Sequence, residues 1–101
     1  MSSSDLVHEY ELVYIAQPEL DEEGMNTLSD RFSQTVSNFG GTINSVEPWG
    51  RRTLAYPIKN FFEGHYILLR FTMEPQGADE VDRFLRLNEN VIRYLLIRTD
   101  E

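Results

Sequence analysis

The chain contains no cysteine, which excludes disulfides and thiolate metal sites and is what a reducing compartment expects. Only two histidines occur, His8 and His65. Neither has the ligand companions of a metal site, so both read as strand or surface residues. No apolar run approaches the roughly 20 residues that a membrane span requires. The opening Met1-Ser-Ser-Ser-Asp5 lacks the basic start and apolar stretch of a secretory signal. A cytoplasmic location with no membrane partner is therefore expected. A glycine-rich phosphate loop is missing too, because Gly40-Gly41 follows a helical pattern instead of preceding one. With no serine–histidine–acid motif either, the sequence offers no catalytic constellation and no small-molecule substrate. The acidic run Asp21-Glu22-Glu23 reads as a helix start, where the backbone dipole favours negative charge.

Positive charge is scarce in the first half. Residues 1–50 hold nine acids and one base, Arg31, whereas residues 51–101 hold eight of each, for a net charge of −8. That imbalance argues against nonspecific nucleic-acid binding unless the two signs lie on different surfaces.

What is present is strongly patterned. Residues 8–16 (HEYELVYIA) set Tyr10, Leu12, Tyr14 and Ala16 on one side of a strand, with Glu9, Glu11, Val13 and Ile15 on the other. Asp21 is placed to cap a helix whose apolar stripe is Met25, Leu28, Phe32, Val36 and Phe39, closed by Gly40-Gly41. A second strand is expected over 42–47, interrupted at Pro48 and resuming over 51–56. Residues 57–64 are read as the loop at the tip of a long hairpin. A strong strand over 65–73 (HYILLRFTM) follows. A helix opened by Asp79 and Glu80 comes next, with Val81, Phe84 and Leu85 on its apolar face, and the last strand is 91–98 (VIRYLLIR). The order β-α-β-β-α-β predicts an α+β, ferredoxin-like domain: a four-stranded antiparallel sheet with two helices on one face and the first and third strands central. That domain spans residues 8–98, between an N-terminal tail (1–7, expected to be disordered) and a short C-terminal tail (99–101).

Two features go beyond the fold. With helices on one face only, the other should be polar. Instead Val13 and Ile15, Leu68, and Leu95 and Ile97 supply apolar side chains there, as a surface covered by a partner would require. The stretch GRRTLAYPIKN (50–60) carries Arg51, Arg52 and Lys59 and no acid, with Tyr56, Phe61, Phe62 and Tyr66 alongside. Guanidinium forks and planar rings suit phosphates and bases, though positive charge can equally protect a sheet edge from aggregation. A dimeric ligand-sensing or regulatory module of the same fold is the alternative that the apolar face leaves open.

GRRTLAYPIKN followed by EGHYILLRF, together with LRLNENVIRYLLIR and HEYELVYIAQPEL, resembles the sixth protein of the bacterial small ribosomal subunit, in the same order and over residues 8–98. The resemblance implies a ferredoxin-like, non-enzymatic protein without a cofactor. It also implies binding of small-subunit ribosomal RNA together with the eighteenth small-subunit protein. Arg51 and Arg52 match the family's double-basic step, Tyr66 an aromatic of its third strand, and Arg93 and Arg98 basic positions of its last strand. With Lys59 these form the expected RNA-binding set. Val13, Ile15, Leu68, Leu95 and Ile97 form or border the expected partner surface. At the N-terminus His8 and Glu9 stand where the family often carries a basic residue before the aromatic matched by Tyr10.

Overall fold

The protein is described over residues 7–100 by a computed structural model; most of the expected N-terminal tail, and Glu101, lie outside the described residues. Six elements run β1 (His8–Ala16), α1 (Glu22–Asn38), β2 (Thr42–Ile58), β3 (Phe61–Met73), α2 (Gly77–Leu87) and β4 (Val91–Arg98). The strands form one antiparallel sheet in the order β2-β3-β1-β4, which makes the two most apolar strands central.

The period-2 pattern of β1 decides what is buried. Tyr10, Leu12, Tyr14 and Ala16 face the helices together with Ile67, Leu69, Phe71 and Met73 of β3, and Leu28, Phe32, Val36, Val81 and Leu85 close the core from above. Asp21 caps α1 by accepting the Gly24 N–H at 2.8 Å. At the other end Gly40 adopts φ +67°. The Gly40 and Gly41 N–H groups bond Ser37 O at 3.1 Å and Val36 O at 3.0 Å, the paired geometry that ends a helix on a left-handed residue. α2 starts at Gly77, two residues before the acids expected to open it.

The main correction concerns β2 and the hairpin. β2 continues through both prolines, and the expected loop over 57–64 is replaced by two strand ends joined by Lys59-Asn60. Both turn residues have positive φ (50° and 69°), the signature of a tight hairpin turn whose twist matches its strands. The prolines are tolerated because β2 is an edge strand and slips register near each of them, between Pro48 and Gly50 and between Thr53 and Ile58.

The second slip turns the hairpin arm back over the end of the sheet. Leu54 packs on Ile15 and Ile92, with Ile58, Phe61 and Tyr66 around them, as a small second core. Gly64 allows this approach: a Cβ there would lie 2.3 Å from Ile15 Cγ2 and 3.0 Å from the Ala16 carbonyl.

Burial also sets an alkaline limit on stability. Tyr14, 4% exposed, has its phenol pushed up to about 12 by burial. Its folded-state value lies above the unfolded value near 10, so stability is complete below pH 10 and falls as pH rises towards 12, by about 3 kcal/mol. Tyr10, also through burial, and Tyr94, chiefly through its hydrogen bond to Asp82, shift in the same direction. Alkaline unfolding followed by circular dichroism should show this fall, and Tyr14→Phe should make it shallower. An identical alkaline profile in the variant would contradict it.

Candidate functional site

The sheet register lays out the face away from the helices in three ranks. Trp49 and Gly50, Tyr66, Ile15 and Arg93 lie at the hairpin end; Glu47, Leu68, Val13 and Leu95 come next; Ser45, Arg70, Glu11 and Ile97 follow, with Glu9 beyond. The register shift in β4 opposite Ile15 and Ala16 lets both Ile92 and Arg93 reach this face.

The face is therefore sorted by chemistry along the strands. Cations (Arg52 and Arg93) stand at the hairpin end. Apolar groups fill the middle. At the far end Glu9 and Glu11 stand with one base, Arg70, which pairs with Glu11 at 3.2 Å and reaches back at 3.8 Å to Glu47, the edge-strand residue of the middle rank.

Trp49, the only tryptophan, organises the middle and was not singled out from sequence. The slip in β2 turns its ring onto this face, where it stacks on Tyr66 with centroids 6.3 Å apart and planes 15° from parallel. The Arg52 guanidinium carbon lies 5.4 Å from its ring centroid. Such a contact contributes about 0.5–1 kcal/mol at an exposed site and holds the cation in place without neutralising it. The available signal was a lone Trp between Pro48 and Gly50, immediately before the two arginines.

The expected residues divide accordingly. Arg51 and Arg52 are consecutive and diverge: Arg51 pairs with Glu63 at 2.9 Å in solvent, whereas Arg52 lies on Trp49. The Arg51 pair is exposed on both sides and contributes at most about 1 kcal/mol, so a phosphate can displace Glu63. Lys59 occupies the hairpin turn and lines a groove with Arg86, Arg93 and Tyr94; among the described residues it has no ion-pair partner. Arg93 donates to the Tyr56 hydroxyl, tying the hairpin arm to β4.

Arg98 lies apart from this group. It pairs in register with Tyr10, five residues along β4 from Arg93, which is about 17 Å of strand. It also donates to Asp100 at 2.6 Å and holds that carboxyl below its usual range. Five of the six expected RNA contacts therefore gather at the hairpin end and Arg98 does not.

On the partner side Ile15 and Leu68 are each 6% exposed, Ile15 packed beneath the chain's own Leu54 and Ile92. Leu95, at 61%, and Ile97, at 43%, stand open. Val13 is half-buried between them and Trp49. The arrangement offers two surfaces to macromolecules, one cationic and one apolar, with a shared border at Trp49 and Arg93.

Comparison with known proteins bears on which macromolecules these are. The family model described as Ribosomal protein S6 matches residues 9–98. The Small ribosomal subunit protein bS6 of Bifidobacterium longum is 46% identical over 91 residues, covering 90% of this chain and 94% of that protein. Its counterpart from Symbiobacterium thermophilum is 40% identical over 95 residues, covering 94% and 100%. Among solved structures, the crystal structure of 30S ribosomal protein S6 from Thermotoga maritima matches with a TM-score of 0.85 at 32% identity, over 92% of this chain and 88% of that one. The C-terminal domain of the MgtC protein from Mycobacterium tuberculosis matches with a TM-score of 0.65 at 12% identity, over 100% and 96%, a likeness of fold alone.

Proposed function

This chain belongs to the ribosomal protein S6 family, and from that membership we propose that it joins the small subunit as one half of a pair, with the eighteenth small-subunit protein on its apolar sheet face. It is a structural, non-enzymatic constituent of the bacterial small ribosomal subunit and binds its ribosomal RNA. As a ribosomal protein it works in the cytoplasm.

The observation that carries the division of labour is the sorting of charge on one sheet face. The hairpin end presents Arg51, Arg52, Lys59 and Arg93, which can neutralise phosphates, while Tyr66 stacks on Trp49, whose ring also holds Arg52. The far end is anionic and repels RNA. A chain of net charge −8 can hold RNA under those conditions if the contact is local and a more basic partner covers the rest.

A pull-down from bacterial lysate tests the pairing. The tagged chain is expected to retain small-subunit RNA, and after ribonuclease treatment to retain the eighteenth protein alone. Loss of that protein together with the RNA would refute a direct protein–protein contact.

A further inference from the structure

Between Trp49 and the outer strand the apolar face is indented. Val13, Ile15, Trp49, Arg93, Tyr94 and Leu95 line a predominantly apolar cleft of about 200 Å³. That volume is about the size of one large apolar side chain, and a well-packed pocket ringed by other contacts is the usual seat of an interface anchor. We infer that this cleft receives a single aromatic or large aliphatic side chain from a basic segment of the partner protein, whose cations run from the anchor towards Glu11 and Glu9. The inference rests on the pairing proposed above and specifies how it is made.

Two observations set the direction of that segment and the chemistry of its flanks. At the hairpin end Arg93 lines the cleft and Arg52 lies against the ring of Trp49, another of its walls, so a cationic segment is repelled there. At the opposite end Glu11 lies two residues from Val13 along β1 and Glu9 four, which is about 7 and 14 Å. Glu47 shares the rank of Val13, two strands away. Arg70 pairs with both Glu11 and Glu47, but its single charge leaves the three carboxylates net negative, and all three stand at least partly in solvent. An extended segment with its anchor in the cleft and lysine or arginine two and four residues away therefore runs into a patch of net negative charge. An acidic segment, or RNA, would meet like charge. A second copy of this chain is disfavoured by the same count, since each copy brings a net charge of −8.

The test is titration calorimetry of the full chain against the purified eighteenth protein from the same organism, at low and moderate salt. Leu95→Arg places a charge at the mouth of the cleft; because Leu95 is largely exposed, the variant should fold with unchanged circular dichroism. It is expected to weaken binding at least about 30-fold, the loss typical of a central anchor. Val13→Phe, which fills the cleft from inside with an apolar group, should also weaken it, although it adds hydrophobic surface. The pair Glu11→Gln and Glu47→Gln should cost about threefold to tenfold at low salt and less as salt rises. Binding of both cleft variants within threefold of the wild type would overturn the anchor. Failure of the wild type itself to bind would instead remove the pairing on which the inference depends, and a homodimer in sedimentation would identify the second copy as the occupant.

Discussion

Phe71→Ala is expected to lower the unfolding free energy by about 3–5 kcal/mol, a large part of what a domain of this size has in total. Phe71 is fully buried on the central strand β3. Its ring stacks on Tyr10 with centroids 5.5 Å apart and receives Phe32 edge-on at 5.3 Å. It therefore joins β1, β3 and α1 in one contact, and neither strand can shift to refill the space because each is pinned by a partner on both sides. The variant loses both the transfer free energy of the ring and the dispersion contacts around the cavity left behind. Urea unfolding measures this, with a lowered midpoint and an unchanged slope. Phe62→Ala supplies the contrast. Phe62 is 68% exposed near the hairpin tip, so the same chemical change should alter stability by about 0.5 kcal/mol or less. Equal losses in the two variants would contradict the assignment of the core.

Arg51→Ala with Arg52→Ala is expected to weaken binding of small-subunit ribosomal RNA, measured with the eighteenth protein present, by about 100-fold while leaving the fold intact. Charge-assisted hydrogen bonds contribute about 1.5–3 kcal/mol each. The lower end applies here, because Arg51 must first leave Glu63. Losing two phosphate contacts should also flatten the salt dependence by about 1.4–1.8 in the log–log slope. Both residues are exposed, so their removal should barely change the urea midpoint. Unchanged affinity in the double variant would refute a role for the hairpin in RNA binding, whatever the fate of the partner surface.

The parts of this protein that follow a regular period were legible in its sequence. The alternation of β1, the stripe of α1, the Asp21 cap and the Gly40 terminus all hold in the structure. Each depends on neighbours within a few residues, so local chemistry determines them. What was not legible arises where the period breaks. Pro48 and Pro57 read as interruptions, yet the edge position of β2 lets register slips absorb them.

One of those slips carries Trp49 onto the sheet face, and the other bends the hairpin arm over Ile15. No repeat in the sequence announces either. For the same reason the sequence could nominate Ile15, Leu68, Leu95 and Ile97 together as a surface but could not divide them. The first two are buried within this chain, Ile15 beneath the hairpin's Leu54, and the last two stay open. The arginines follow the same logic: Arg93 and Arg98 share a strand and a charge, but the length of that strand sets them at opposite ends of the sheet.

An anionic protein can hold RNA through a localised cationic hairpin only if that hairpin neutralises phosphates. Filter binding of the wild-type chain and the eighteenth protein to the platform region of the small-subunit RNA, repeated across a range of salt, tests it most directly. Three phosphate contacts from the hairpin predict a slope of log affinity against log salt between about −2 and −3. A slope near zero would contradict the claim.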